Sequence, residues 1–190
     1  MKACNLEEAR HIGIVYDATE PASFEVIRDL GKLLSGKAEK VDILGFVNSK
    51  KLDDQYLYRK GLDIISLNDL NWFHKPISPV AEKFIKEPYD LLLNLSLNDY
   101  FPILYIVTLS SAAFKAGRFT PSDESLDFMI DIEQEKEKMN PANHPETLQE
   151  EVIGVKKIKT IDDPATKTDT EIQLQFLIDQ LLHYLSIINK

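Results

Sequence analysis

Glycine is scarce in this 190-residue chain, at seven residues; cysteine and tryptophan occur once each, and basic residues number 22 against 31 acidic ones. Each shortage excludes something. A single thiol, Cys4, cannot form an internal disulfide, and the opening Met-Lys-Ala-Cys-Asn-Leu-Glu-Glu has no apolar stretch to serve as a signal peptide or to precede a lipid-modified cysteine. Cytoplasm is therefore the expected compartment. The longest apolar run, Tyr100 to Leu109, contains Pro102 and is about half of the ~20 residues that span a bilayer, so no membrane span is expected. The few glycines form neither Gly-x-Gly-x-x-Gly nor Gly-x-x-x-x-Gly-Lys-Ser/Thr after the first strand, which disfavours dinucleotide and P-loop chemistry. No Gly-x-Ser-x-Gly elbow exists, so Ser110 and Ser111 read as small packing residues of an apolar helix. His11, His74, His144 and His183 are scattered, and with one cysteine they make no metal-ligand pattern; no metal and no cofactor are expected.

The negative charge is concentrated. Residues 131–151 carry seven acidic and two basic residues, hence −5 of the formal −9. Phosphate backbones are bound by clustered Lys and Arg, and a pI near 5.0 with only a local Lys156, Lys157, Lys159 cluster argues against nucleic acid.

The apolar residues alternate between strand and helix periods. His11–Tyr16 is a short β-branched run, followed by Thr19-Glu20-Pro21 as a helix start and by Phe24, Ile27, Leu30, Leu33 and Leu34 on one helical face up to Gly36. Val41–Val47 and Asp63–Leu67 read as the second and third strands. Ser78-Pro79 opens a helix with Val80, Phe84 and Ile85, and Tyr89–Leu95 is a near-continuous apolar strand of the kind buried on both faces. Asn98-Asp99 reads as the cap of a helix that runs to about Ala116, with Gly117 as its stop, and Leu126–Ile132 reads as the fifth strand. A charged insertion is expected at about 133–168, with 152–161 an edge strand or irregular. The chain closes on a helix whose apolar positions are Leu174, Ile178, Leu181, Leu185 and Ile188.

This pattern predicts one α/β domain over 1–190: a three-layer sandwich around a mainly parallel five-stranded sheet, Rossmann-like or flavodoxin-like, in the order 3-2-1-4-5. In that order a ligand sits at the carboxyl ends of strands one and four. Asp17 and Thr19 end the first strand; Asn94, Ser96 and Asn98 end the fourth. These five are the candidate ligand-binding residues, able to converge on a small polar ligand, and the plainer reading is that they form turns and helix caps. The run Ile-Val-Tyr-Asp17-Ala-Thr19 also resembles the nucleophile motif of haloacid-dehalogenase phosphatases. That resemblance implies a magnesium-dependent phosphate-handling hydrolase or transferase using Asp17 as the alternative function. The motif is incomplete, because Glu20-Pro21 follow where Gly-Thr is wanted.

In Asn71-Trp72-Phe73-His74-Lys75-Pro76 two large aromatics stand in a connection. They suit a lid or a partner anchor, but such residues more often plug the core between a sheet edge and the next helix. The last helix is a possible homodimer seam, and packing on its own sheet is the simpler reading.

Ile12-Gly-Ile-Val-Tyr-Asp-Ala18, Leu70-Asn-Trp-Phe-His-Lys-Pro76, Tyr89-Asp-Leu-Leu-Leu-Asn-Leu95, Ala113-Phe-Lys-Ala-Gly117, Leu126-Asp-Phe-Met-Ile130 and Leu182-His-Tyr-Leu185 together resemble a family of uncharacterised bacterial proteins. The resemblance takes in most of the chain outside about 133–168. It implies a Rossmann-like fold, a domain of unknown function and no catalytic residue. With no complete catalytic set, the expected function is a non-catalytic module that binds an unknown protein partner or a small ligand.

Overall fold

The computed structural model describes residues 4–52, 61–121, 124–138 and 167–188. Its frame is a parallel sheet of six strands: β1 (His11–Asp17), β2 (Lys40–Val47), β3 (Asp63–Ser66), β4 (Leu91–Asn94), β5 (Lys115–Arg118) and β6 (Phe128–Ile130). Their spatial order is β3-β2-β1-β4-β5-β6, a flavodoxin- or Rossmann-like arrangement whose winding reverses between β1 and β4. The helices are α1 (Pro21–Ser35), α2 (Pro79–Lys86), α3 (Phe101–Leu109), α4 (Ile132–Lys138) and α5 (Asp169–Ile187).

Side chains of a strand alternate between the two faces of the sheet, and each face has its own core. Ile12, Ile14 and Tyr16 of β1 join Leu91 and Leu93 of β4 beneath α1 and α5, where Ile27, Leu30, Leu34, Leu174, Leu177, Ile178, Leu181 and Leu185 are buried. Val15, Leu44, Phe46, Ile65 and Leu92 point the other way, against Ala81 and Phe84 of α2 and Ile103, Ile106 and Val107 of α3. Among the described residues no helix is long and apolar enough to cross a membrane.

Four expectations are corrected. The sheet has six strands rather than five, because the helix expected to run to Ala116 ends at Leu109 and Lys115–Arg118 pairs with β4. The expected fifth strand is thus the sixth, and it is short, since Ile132 opens α4. Gly117 explains the chain's choice. A Cβ there would lie 2.7 Å from the Asn94 carbonyl oxygen, so only glycine admits this close strand pairing. Ser110 and Ser111 accordingly follow α3 instead of packing within it, and the Ser110 hydroxyl oxygen accepts from the Ala112 amide at 3.2 Å. Neither Thr19 nor the Asn98-Asp99 pair caps a helix. The N-cap residues of α1 and α3 are Glu20 and Tyr100, neither with a side-chain capping bond, and proline in the first turn starts both helices instead. Of the expected insertion only Glu133–Lys138, within α4, and Lys167 and Thr168 are described; the expectation at 152–161 and the lysine cluster lie outside the described residues.

Candidate functional site

The topology brings the five expected residues to one edge. Asn94 pairs in register with Val15, two residues before Asp17, so β1 and β4 deliver their polar ends side by side. Asp17 is nearly buried. Its Oδ1 accepts from the Thr19 amide at 2.9 Å and its Oδ2 from Asn98 Nδ2 at 2.7 Å. The Thr19 hydroxyl oxygen accepts from the Asn48 amide at 3.0 Å, tying β1 to the loop after β2. Asn94 Oδ1 accepts from the Ser96 amide at 3.2 Å, and the Ser96 hydroxyl donates to the Asn98 carbonyl at 2.6 Å. Asp99 is ion-paired to Arg118 of β5 and accepts from the Thr120 hydroxyl at 3.3 Å. Within the set the one hydrogen bond between two side chains is Asn98 to Asp17; the Asn94 and Ser96 side chains bond backbone groups of Ser96 and Asn98, and the Thr19 hydroxyl bonds outside the set. The cleft bounded by Asp17, Glu20, Ser23, Asn98 and Thr170 holds only about 10 Å³. That is about the space of one water molecule.

A second polar cluster, at the opposite edge, was not legible in the sequence. His11 opens β1, Asp42 lies on β2 and Glu87 follows α2, and one ligand atom from each lies within 4.8 Å of the others. The position between the carboxylates is filled. Lys40 Nζ stands 2.8 Å from Asp42 Oδ2 and 2.8 Å from Glu87 Oε1. His11 Nε2 donates to the same Asp42 oxygen at 2.8 Å, since an ionised carboxylate only accepts. Burial pushes the Asp42 carboxyl up, but the hydrogen bonds from Lys40 and His11 outweigh it and hold Asp42 below the usual carboxylate range. The Lys40 hydrogen bond likewise holds Glu87 low, and hydrogen bonds to Asp42 and Glu87 hold the Lys40 ammonium above its ordinary value. The neighbouring Tyr89 hydroxyl is raised by burial first and by the nearby Asp42 and Glu87 charges second. Under α1, a shallow groove of about 900 Å³ runs along Val41, Ile43 and Leu62. Its charged rim is neutralised within α1, where Arg28 pairs with Glu25 and Lys32 lies 3.0 Å from Asp29.

The third feature overturns an expectation. Trp72 and Phe73 do not plug the core: they are 82% and 62% exposed, with ring centroids 3.7 Å apart. They stand at the tip of a loop that Asn71 organises. Asn71 Oδ1 accepts from the amides of Phe73 and Lys75, both at 3.0 Å, and the Asn71 amide donates to the Lys75 carbonyl at 2.9 Å. Leu70 bridges Pro76, and the Ile77 amide donates to the Asp69 carbonyl at 2.9 Å, which closes the loop base. His74 sits at φ 60°, a left-handed conformation that costs a non-glycine residue roughly 1–2 kcal/mol. Lys75 reaches across to α3, its Nζ 5.5 Å from the Tyr105 ring centroid, and Tyr105 in turn neighbours Phe101. Phe101 and Ile77 are 53% and 60% exposed. The sequence signal was Asn71 itself, a turn-forming residue directly before the aromatic pair.

No curated protein and no solved structure matches the chain. The profile of one family covers residues 1–143, so it includes β1 to α4 and the aromatic loop and leaves out the resemblance seen at 182–185. On that match over three quarters of its length, the chain belongs to the family of unknown function DUF6913.

Proposed function

We propose that this protein is a cytoplasmic partner-binding module whose contact surface is the Trp72 and Phe73 loop. One observation carries the reading: two large aromatic side chains are held out into solvent on a loop fixed by its own hydrogen bonds. Aromatic residues dominate the energetics of interfaces, and a loop already ordered before binding loses little entropy on docking. Among the described residues neither side chain belongs to either core cluster. A lone thiol with no disulfide partner in the chain suits a reducing compartment. The site at the ends of β1 and β4 supports a structural role instead. Both Asp17 oxygens accept hydrogen bonds, and the adjoining cleft of about 10 Å³ has no room for a phosphorylated substrate.

The test compares the full chain with its Trp72→Ala/Phe73→Ala variant. Because both residues are exposed, stability changes by no more than about 0.5 kcal/mol. In quantitative affinity capture from cells that express the chain, a partner is retained by the wild type and reduced at least about tenfold by the variant, equivalent to about 1.4 kcal/mol. A capture profile that the double substitution leaves unchanged overturns the reading. A thermal-shift panel of nucleotides, phosphorylated metabolites and Mg²⁺ gives no response; a clear shift abolished by Asp17→Asn would restore the phosphate-handling alternative.

A further inference from the structure

We propose that the occupant of the Trp72 and Phe73 surface is an acidic peptide segment bearing a large apolar side chain. The proposal rests on the partner-binding reading and adds the chemistry of the partner. The chain as a whole carries a formal charge of −9, yet the loops around these aromatics present cations. Lys75, next to the pair, is exposed and is held over the Tyr105 ring, so its ammonium stays beside the apolar surface. Lys50 and Lys51 are exposed on the loop after β2. That loop is fastened to the 3-10 turn (Leu67–Asp69) that leads into the aromatic loop: Asn68 Nδ2 donates to the Lys50 carbonyl at 2.6 Å and the Leu67 amide to the Ser49 carbonyl at 3.2 Å.

Among the described residues these three lysines make no ion pair, and Lys75 is held by the Tyr105 ring face alone. Lysine ion pairs are made there by Lys32, Lys40 and Lys86, and not by Lys50, Lys51 or Lys75. The nearby carboxylates are committed. Asp69 accepts from the Ser66 amide and hydroxyl, at 2.8 and 3.0 Å, and Glu82, which feels the Lys75 charge, accepts from Lys86 at 2.6 Å. Asp53 and Asp54, next along the chain, lie outside the described residues. An apolar anchor point flanked by cations that have no carboxylate partner in an ion pair is complementary to a segment with an apolar side chain flanked by carboxylates. Three lysines suit a few carboxylates, whereas a long polyanion such as nucleic acid would meet a net negative molecule.

A random peptide display library panned against the full chain tests this directly, because it imposes no composition. Enriched peptides are expected to be net negative with at least one Leu, Ile, Phe or Trp. A synthetic copy changes the fluorescence of Trp72, the sole tryptophan. Reversing Lys50, Lys51 and Lys75 to Glu weakens that binding by about tenfold or more, as does high salt, while melting temperature is retained. Neutral or basic enriched peptides that still require Trp72 overturn the acidic chemistry and leave the docking surface standing. Enrichment unaffected by Trp72→Ala, or no enrichment, overturns both. Two other Trp72-dependent results overturn the proposal by assigning a different occupant. One is co-sedimentation with phosphatidylcholine and phosphatidylserine vesicles; the other is self-association in the ultracentrifuge that deleting residues 131–151 from the chain leaves unchanged, which would make the folded surface of a second copy the occupant instead of an acidic segment.

Discussion

At the residue scale the informative positions are those where one side chain, or its absence, decides the local path of the chain. Gly117 is the sharpest. Adding a Cβ there places it 2.7 Å from the Asn94 carbonyl oxygen and 3.0 Å from Asn94 Cβ, and both belong to the neighbouring strand and cannot swing aside. Gly117→Ala should therefore destabilise the protein by about 1–3 kcal/mol in urea unfolding; an unchanged midpoint would mean that β4 and β5 are not paired in this register. Lys40 gives a prediction of a different kind, in pH. Asp42 and Glu87 are held low in the folded state, so their contribution is present above the ordinary carboxylate range near 4 and is lost as pH falls through their folded values. The Lys40 ammonium is held high, so its contribution is present below about 10.4 and is lost as pH rises through its folded value. Lys40→Met should lower the urea midpoint at pH 7, and the deficit should shrink toward pH 3. A deficit independent of pH would show that these ion pairs do not contribute. Such clusters are invisible in a sequence, because His11, Asp42 and Glu87 come from three separate elements and meet only when the sheet sets its register. Trp72 illustrates the same limit. Its hydrophobicity argued for burial, while Asn71 and the left-handed His74 turn it outward, and no rule based on composition weighs a turn against a side chain.

At the scale of elements, periodicity was legible wherever an element was long. The 3-4 spacing of Leu174, Ile178, Leu181 and Leu185 made α5 readable, and all four are buried against α1 and the sheet. This apolar face of α5 is packed within the chain, as the simpler reading of the helix expects. The same spacing failed at β5. Ala113-Phe-Lys-Ala-Gly117 is too short to show a period and follows an apolar helix, so apolar character alone could not separate strand from helix. Asp17, Thr19, Asn94, Ser96 and Asn98 were legible as the polar ends of β1 and β4, but their bonding was not. It is the β4–α3 loop folding back on Asp17 that closes the cleft. For α5 the sequence also supplies a start signal that the structure uses: the Thr168 hydroxyl oxygen accepts from the Glu171 amide at 3.2 Å, and Glu171 Oε2 accepts from the Thr168 amide at 2.7 Å. Thr168→Ala should cost about 1 kcal/mol through the cap. Leu181→Ala should cost about 2–5 kcal/mol through a buried void. Equal effects in thermal or urea unfolding would mean that α5 is held by its end and not by its face.

At the scale of the whole molecule, the two ends of the sheet do different work. The amino-terminal edge is neutralised by an ion-pair network. The carboxyl-terminal edge, where this fold usually opens to a ligand, is closed by hydrogen bonds between loops, and the exposed aromatic loop stands beside it. The proposed function accordingly rests on the exposed loop and not on the fold, because a fold by itself does not fix a function.

The central position of β1 has a consequence for how the molecule breathes. All seven residues of β1 pair with β2, its middle also pairs with β4, and Ile12, Ile14, Val15 and Tyr16 are fully buried. Each of its amides bonds to one neighbour, and both neighbours are themselves interior strands, so fraying at a sheet margin frees none of them, whereas β6, three residues at the margin, needs only a local opening. In native-state hydrogen exchange the β1 amides should be the slowest in the protein and follow global unfolding, with β6 exchanging earlier. Early exchange in β1 would show that the sheet parts at its centre.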